Sequence, residues 1–458
     1  MAAPQIVWFR RDLRVADQAA LTAAVEAGGP VVPVFVLDDE TPGAHRMGAA
    51  SRRWLHHSLA DLDAALRERG SRLTLRRGRA DEVLRAVAED IGAREVHALH
   101  HYEPWWLEAE AALAERVTLR LHGGNYLVPP GTLRTGGGTL FKIYTPFWRA
   151  LSEHMPPAGP LSSPGHMPAP SRWPASERLD DWALLPTAPE WAEGVRSEWT
   201  PGEAGARARL DEFLDRAARY EQTRNLPAVE GTSRLSPHLH FGEISPATVW
   251  HATSGLGGSA ATFLGELGWR DYAQNVVLQF PDYADRSFKP AFAGFPWRTG
   301  SEAQSDLRAW QQGRTGYPIV DAGMRQLWTS GWMHNRVRMI AASFLIKHLL
   351  IDWRKGERWF WDTLVDADLA NNAVNWQWTA GSGVDAQMFV RIMAPLVQSE
   401  KFSAADYIRE WVPELAQLSD GQIHDPPDEL RGEYPRKIVE HRVARERALA
   451  AHAIIKTT

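Results

Sequence analysis

Five short runs rich in β-branched residues, 6–9, 31–36, 72–75, 95–99 and 117–121, punctuate the first 130 residues, and between them apolar residues recur at helical spacing. Two of the intervening segments, 51–69 and 81–91, stop near Gly70 and Gly92, residues suited to a helix C-terminus. Strand and helix in alternation predict βαβ units and a doubly wound, mainly parallel sheet. The turn after the first run reads Arg10-Arg-Asp-Leu-Arg and lacks Gly-x-Gly-x-x-Gly, so the first crossover carries no dinucleotide fingerprint.

The pattern then breaks. Residues 156–201 hold 10 of the 30 prolines, too many for a long helix or a central strand. Four indoles in the same stretch, Trp173, Trp182, Trp191 and Trp199, predict a connector packed across a domain surface. Beyond residue 201 the periodicity is helical almost throughout, over 204–220, 262–279, 323–330, 334–350, 359–366 and 438–453. The expected architecture is an α/β N-terminal domain over 1–130, a connector over 131–201 and a larger all-α domain over 202–458.

Composition sharpens this. The 458 residues contain no cysteine, which excludes disulfides, thiolate zinc sites, Cys-ligated iron–sulfur clusters and Cys nucleophiles. The net charge is −5, so any surface for nucleic acid must be local. The four apolar residues 6–9 are too few for a secretory signal. The apolar stretch 340–351 is interrupted by Lys347 and His348 and falls short of the ~18 residues a membrane span needs. A cytoplasmic protein with no membrane partner and no metal is expected. Of 21 tryptophans, 12 fall beyond residue 201.

Several of those lie among chemically loaded residues. Tyr220 and the run Gly231-Thr-Ser-Arg-Leu-Ser-Pro could bind a diphosphate, or could simply cap and turn. Glu266, Trp269 and Arg270 share one helix face, as either a surface ion pair beside an indole or a base-stacking face. From Val320 to Trp359 seven basic residues meet three acidic ones, a local excess that could track phosphates. Residues 366–378 combine two carboxylates, three asparagines and two indoles. An acid–base pair or a metal site would use the carboxylates and leave the indoles unexplained. A cofactor with a polar heterocyclic edge and a redox-active ring uses both.

Here a resemblance becomes specific. Val7-Trp-Phe-Arg-Arg-Asp-Leu-Arg, Gly231-Thr-Ser-Arg-Leu-Ser, Gly316-Tyr-Pro-Ile-Val-Asp-Ala-Gly-Met-Arg, Gly331-Trp-Met-His-Asn-Arg-Val-Arg-Met, Leu349-Leu-Ile-Asp-Trp-Arg, Asn375-Trp-Gln-Trp and Glu440-His-Arg-Val-Ala-Arg-Glu-Arg-Ala-Leu resemble, in order, motifs of the photolyase/cryptochrome family. The resemblance implies FAD folded within the helical domain, active as the reduced, anionic hydroquinone. Tyr220, Thr232, Ser233, Arg234, Leu235 and Ser236 would lie near its phosphates, and Asn335, Arg338, Asp366 and Asp368 at its other polar groups. Asn372 would face the ring nitrogen that exchanges a proton, where plant cryptochromes carry an acid. Trp376, Trp353 and Trp310 match the tryptophan triad that relays electrons from the surface. Glu266, Trp269, Arg270, Met339, Trp378 and Gln398 would face a flipped-out lesion in UV-damaged DNA, bound by a monomer.

Within the family the chain is most similar to bacterial cyclobutane pyrimidine dimer photolyases, of class I or class III. The (6-4) enzymes carry paired histidines where this chain has His334 followed by Asn335, and Met339 at the later position. Phe263, His348 and Ala394 depart from the commonest bacterial residues. Trp105 and Trp106 replace an Asn-Glu pair that contacts folate, which leaves methenyltetrahydrofolate, a deazaflavin or no antenna as alternatives. The competing functions are a cryptochrome-type receptor without repair and a light-independent flavoprotein whose tryptophans merely fill the core.

Overall fold

Strand β1 (Gln5–Phe9) is buried along its whole length, as a strand covered on both faces must be. With β2 (Val31–Leu37), β3 (Thr74–Arg77), β4 (Glu95–Leu99) and β5 (Thr118–His122) it forms a five-stranded sheet in the order β3-β2-β1-β4-β5, every pairing parallel. Trp8 registers with Val34 on one side and Ala98 on the other. Val7, Phe9, Val31 and Phe35 pack on α1 (Ala19–Glu26) and α2 (Ala49–Glu68), while Ile6, Trp8, Val32 and Val34 pack toward α3 (Ala80–Ile91) and α4 (Pro104–Ala114). This is the two-residue alternation of a doubly wound sheet. The third strand starts two residues later than its apolar run, because the Leu73 N–H is drawn to Asp63 Oδ1 at 2.8 Å and leaves the ladder.

The structure, a computed structural model, describes residues 2–185, 198–386 and 388–456. Trp191 of the predicted connector lies outside them. Trp182 is buried and meets Phe35 at 6.0 Å, and Trp199 is buried edge-on to Trp54 at 5.5 Å. Trp173 lies 4.8 Å beneath the Arg72 guanidinium. A helix, α5 (Tyr144–Ser152), stands inside the stretch read as connector and packs against the helical part.

That part contains α6 (Glu203–Leu214), α7 (Tyr220–Thr223), α8 (Ser236–His240), α9 (Pro246–Thr253), α10 (Gly258–Gln279), α11 (Gly300–Gln311), α12 (Pro318–Ser330), α13 (Asn335–Ser343), α14 (Trp353–Thr363), α15 (Leu369–Ala380), α16 (Pro395–Lys401), α17 (Ala405–Trp411), α18 (Asp420–Ile423) and α19 (His441–Lys456). The expected 323–330 helix starts five residues early at Pro318, and three others differ in ways a side chain or a break explains. The expected 204–220 helix breaks after Leu214, and Tyr220 begins a separate turn. The expected 334–350 helix starts after His334, whose Nδ1 accepts the Arg336 N–H at 3.2 Å, and gives way at Phe344 to a π-helical turn ending at His348. The expected 359–366 helix begins six residues early because Asp352 caps it, Oδ1 accepting the Arg354 N–H at 3.0 Å, and it ends at Thr363. Residues 364–368 are thereby freed to form a loop.

Candidate functional site

Asp368 caps α15, its Oδ1 accepting the Asn371 N–H at 2.8 Å. Its other oxygen faces Arg11 Nη1, 3.6 Å away at the end of β1, and the His240 ring at 3.9 Å. Burial pushes the carboxyl up, but His240, Arg11 and the Asn371 amide outweigh it and hold Asp368 well below the usual carboxylate range. Asp366 takes Arg338 side-on at 3.1 and 2.9 Å and accepts the Ser236 hydroxyl at 2.6 Å. The end of β1, α8, α13 and the 364–368 loop therefore meet around two carboxylates.

One turn into α15, Asn372 Nδ2 donates to the Glu357 carbonyl at 3.0 Å and to Glu357 Oε1 at 2.8 Å, leaving its amide oxygen as an acceptor. Glu357 is 1% exposed, and burial raises its carboxyl to about 7 against the opposing bond from Asn372. One turn further Trp376 packs edge-on to Phe360 at 5.0 Å and to Trp310 at 6.3 Å. Gly356 permits this approach, since a Cβ there would sit 2.1 Å from Trp376 Cη2. Here the sequence expectation needs correcting. Trp310, Trp353 and Trp376 are all buried, so none of them ends a relay at the surface, and Trp310 touches Trp376 directly. Trp353 instead donates Nε1–H to Ser287 at 3.2 Å.

Around the Thr232–Ser236 turn the structure separates residues that the sequence groups. Arg234 adopts φ +51°, pairs with Glu198 at 2.9 Å and covers the Trp332 ring at 4.8 Å, while Leu235 is in the apolar core. Thr232 and Ser233 are half-buried, Ser236 and Asn335 exposed, and Tyr220 buried. Between them lies His334, held neutral at about 3 by burial and by Arg336, Arg338, Arg234 and Arg224. Its Nδ1 accepts a backbone N–H, so Nε2 is a donor, and Nε2 is buried without a partner among the described residues. A buried donor amid four guanidiniums suits a polyanion such as the diphosphate of FAD. The residues present fit that group.

On α10, Glu266 is paired with Arg224 at 2.6 Å, and burial raises its carboxyl against that cation. Trp269 stacks on Tyr144, ring centroids 3.5 Å apart and planes at 8°. Asp385 accepts the Tyr144 N–H at 2.9 Å. Met339 lies 3.6 Å from Arg336, which is held by Asn225 at 2.7 Å. Trp378 and Gln398 are half-buried. Arg270 corrects the expectation of a DNA contact: its guanidinium is spent on the Asn125 and Leu239 carbonyls and covers the Tyr126 ring, so it clamps the sheet domain to α10. Arg224 and Tyr144 escape the sequence reading, and Arg336 and Glu357 enter it only within a count of charges, because their partners lie far away in the chain.

A separate cavity opens at the carboxyl ends of β1 and β2, against the helical part. Trp105, Trp106, Trp361, His45, Arg10 and His240 are among its walls. Arg10 Nε and Trp106 Nε1 are buried there without partners among the described residues, and His240 Nδ1 has only the long 3.9 Å approach to Asp368. Among those residues no helix is long and apolar enough to cross a membrane, and no His, Cys, Asp or Glu cluster could hold a metal.

Residues 5–169 match the family model described as DNA photolyase, and residues 263–453 match that of the FAD binding domain of DNA photolyase. A deoxyribodipyrimidine photo-lyase of Agrobacterium fabrum is 49% identical, over 100% of this chain and 99% of its own. The crystal structure of a bacterial class III photolyase from Agrobacterium tumefaciens superposes with TM-score 0.95 at 48% identity, covering 100% of this chain and 98% of that one. An archaeal photolyase from Sulfolobus tokodaii, solved with two FAD molecules, superposes with TM-score 0.85 at 28% identity over 98% of this chain and 100% of that one. Identity of this extent along the whole chain, on a sheet and helical body that superpose as one, makes the chain a member of the DNA photolyase family.

Proposed function

We propose that the chain is a deoxyribodipyrimidine photo-lyase of class III that repairs cyclobutane pyrimidine dimers in UV-damaged DNA, acting as a monomer whose FAD and lesion contacts come from one polypeptide. The observation that carries this reading is the Glu266–Arg224 pair beside Trp269. A photoreceptor without repair, or a flavoprotein indifferent to light, has no use for a half-buried carboxyl held at such a rim.

Asp366, Arg338, Ser236, Asp368 and the turn at Thr232–Ser236 would hold FAD, with His334 Nε2 as a further donor, and Asn372 would present its amide oxygen to the ring edge. FAD held there in its reduced state would supply light-driven electron chemistry at the dimer. The protein's own part is position and electrostatics. A damaged, poorly stacked pair costs only a few kcal/mol to flip out, and Trp269, backed by Tyr144, offers it an apolar wall that excludes water. Arg224 fixes the Glu266 carboxyl, which burial favours in its protonated form. That carboxyl can hydrogen-bond a pyrimidine edge where negative charge develops. Arg336, Met339, Trp378 and Gln398 would line the approach to it.

The cavity at the sheet's carboxyl edge would take the antenna. Indole walls and unpartnered donors suit a planar heterocycle with acceptor atoms along its edge, which methenyltetrahydrofolate and a deazaflavin share. Absorbance of the chromophore released from purified protein distinguishes the two, and a colourless extract other than FAD would reject the antenna. The repair assignment is tested by illuminating chemically reduced protein with thymine-dimer DNA. Restored thymine is expected, and lesion binding without restoration under light would favour a receptor.

A further inference from the structure

The C-terminal helix α19 lies across the π-helical turn Phe344–His348, every residue of which is buried. His348 Nε2 and His441 Nδ1 share a hydrogen bond of 2.8 Å, and Arg447 donates to the His348 carbonyl at 2.6 Å. Lys347 reaches the other way, donating to the Arg391 carbonyl at 2.8 Å from above the Phe389 ring. Phe389 in turn stacks on His452 of α19, centroids 4.9 Å apart and planes at 9°. One turn thus fastens both α19 and the segment around residues 389–391, which runs into α16 and Gln398.

The groups acting on this imidazole pair are basic, and Lys347 among them is itself lowered to about 7 by burial. His441, Lys347 and Arg447 act on His348, and Arg445 acts on His441. Asp306, which acts on Arg447, is already paired with Arg298 at 2.8 Å. Tyr317 packs from the remaining side, 6.2 Å ring to ring, with Glu440 and Asp425 acting on its phenol. The second nitrogen of His348 is buried without a partner among the described residues. Two neutral imidazoles can give and accept one hydrogen bond. Two protonated ones have only donors to offer each other.

We propose that the His348–His441 contact is a proton-sensitive clasp, which keeps α19 docked at neutral pH and releases it as the pH falls through the range where free histidine titrates. The sign follows from burial. While docked, both rings are held below the ordinary histidine value, so detachment takes up protons. Docking is fully stable above the free value of ~6.5 and weakens progressively below it.

Hydrogen exchange of the α19 amides in the full chain, at about pH 7.5 and about pH 5.5 and corrected for intrinsic exchange, tests this. Opening is expected to rise about tenfold at the lower pH, the uptake of one imidazole proton. In His348→Asp a carboxylate faces His441 and Arg447, and the rise should vanish. His348→Gln, which keeps a hydrogen bond and cannot titrate, should lose it as well and serves if the aspartate variant does not fold. A flat wild-type response, or an equal rise in a folded variant, would overturn the clasp.

Discussion

The two ends of the sheet-to-helix junction solve recognition differently. Around Asp366 and Asp368 every carboxylate oxygen meets a cation, a hydroxyl or a helix amide, so the region is organised by charge drawn from four distant segments. At the carboxyl edge of β1 and β2 three indoles share the walls with Arg10, Arg11, His45 and His240, and Arg10 Nε and Trp106 Nε1 stay unpartnered among the described residues. The first arrangement is set by the protein alone and would cost stability to disturb. The second has fewer internal polar bonds, and the antenna proposed for it would be held with little effect on the fold. Arg11 and His240 border both, so the two regions are neighbours whose independence can be tested.

The largest effect is expected from Asp366→Ala, which strands Arg338: loss of bound flavin and about 3–5 kcal/mol of stability, read from flavin absorbance and denaturant unfolding. Trp376→Phe should slow photoreduction of oxidised flavin more than tenfold while chemically reduced enzyme still repairs; unaltered photoreduction would remove Trp376 from the relay. Trp105→Ala should empty the edge cavity of its chromophore and leave flavin content unchanged. A parallel loss of flavin would merge the two regions into one site. Glu266→Ala should lower repair per absorbed photon several-fold with lesion affinity nearly kept, so an affinity loss as large as the yield loss would make it a binding residue only.

A further effect is a slope of stability with pH. Glu357 has its carboxyl raised from about 4.5 to about 7, so the folded chain holds a proton that the unfolded chain gives up. Its contribution is fully favourable below about pH 4.5 and is lost as the pH rises to about 7, up to ~3 kcal/mol. Glu357→Gln should flatten that slope in unfolding experiments across the interval. An unchanged slope would place the titration elsewhere.

How much of this the sequence discloses depends on distance along the chain. The sheet is legible because β1 and β2 are near-continuous apolar runs and helical segments alternate with all five strands, and the segment 366–378 because its chemistry is concentrated in thirteen residues. Helix boundaries set by a side chain, such as Asp352 at α14, are less so, since an apolar pattern does not show where a cap will act. Arg270 misleads for a different reason. Its spacing from Glu266 places it on the right helix face, and only the fold reveals that two carbonyls claim its guanidinium. The Glu266–Arg224 pair joins α10 to the turn that follows α7, which no periodicity connects. Trp310 has the right residue type for a relay and is seated beside its neighbour rather than at the surface.

The hydrogen atom that serves as a side chain at position 356 sets a length scale for the whole indole cluster. With the six-membered ring of Trp376 resting on the backbone of α14, a methyl group at 356 would displace that ring or Leu345, toward which the same Cβ would also point at 2.5 Å. Gly356 amounts to a spacer of minimal thickness between two helices, and in a relay that the family resemblance implies for Trp376 its replacement by alanine would act as a resistor inserted in a circuit.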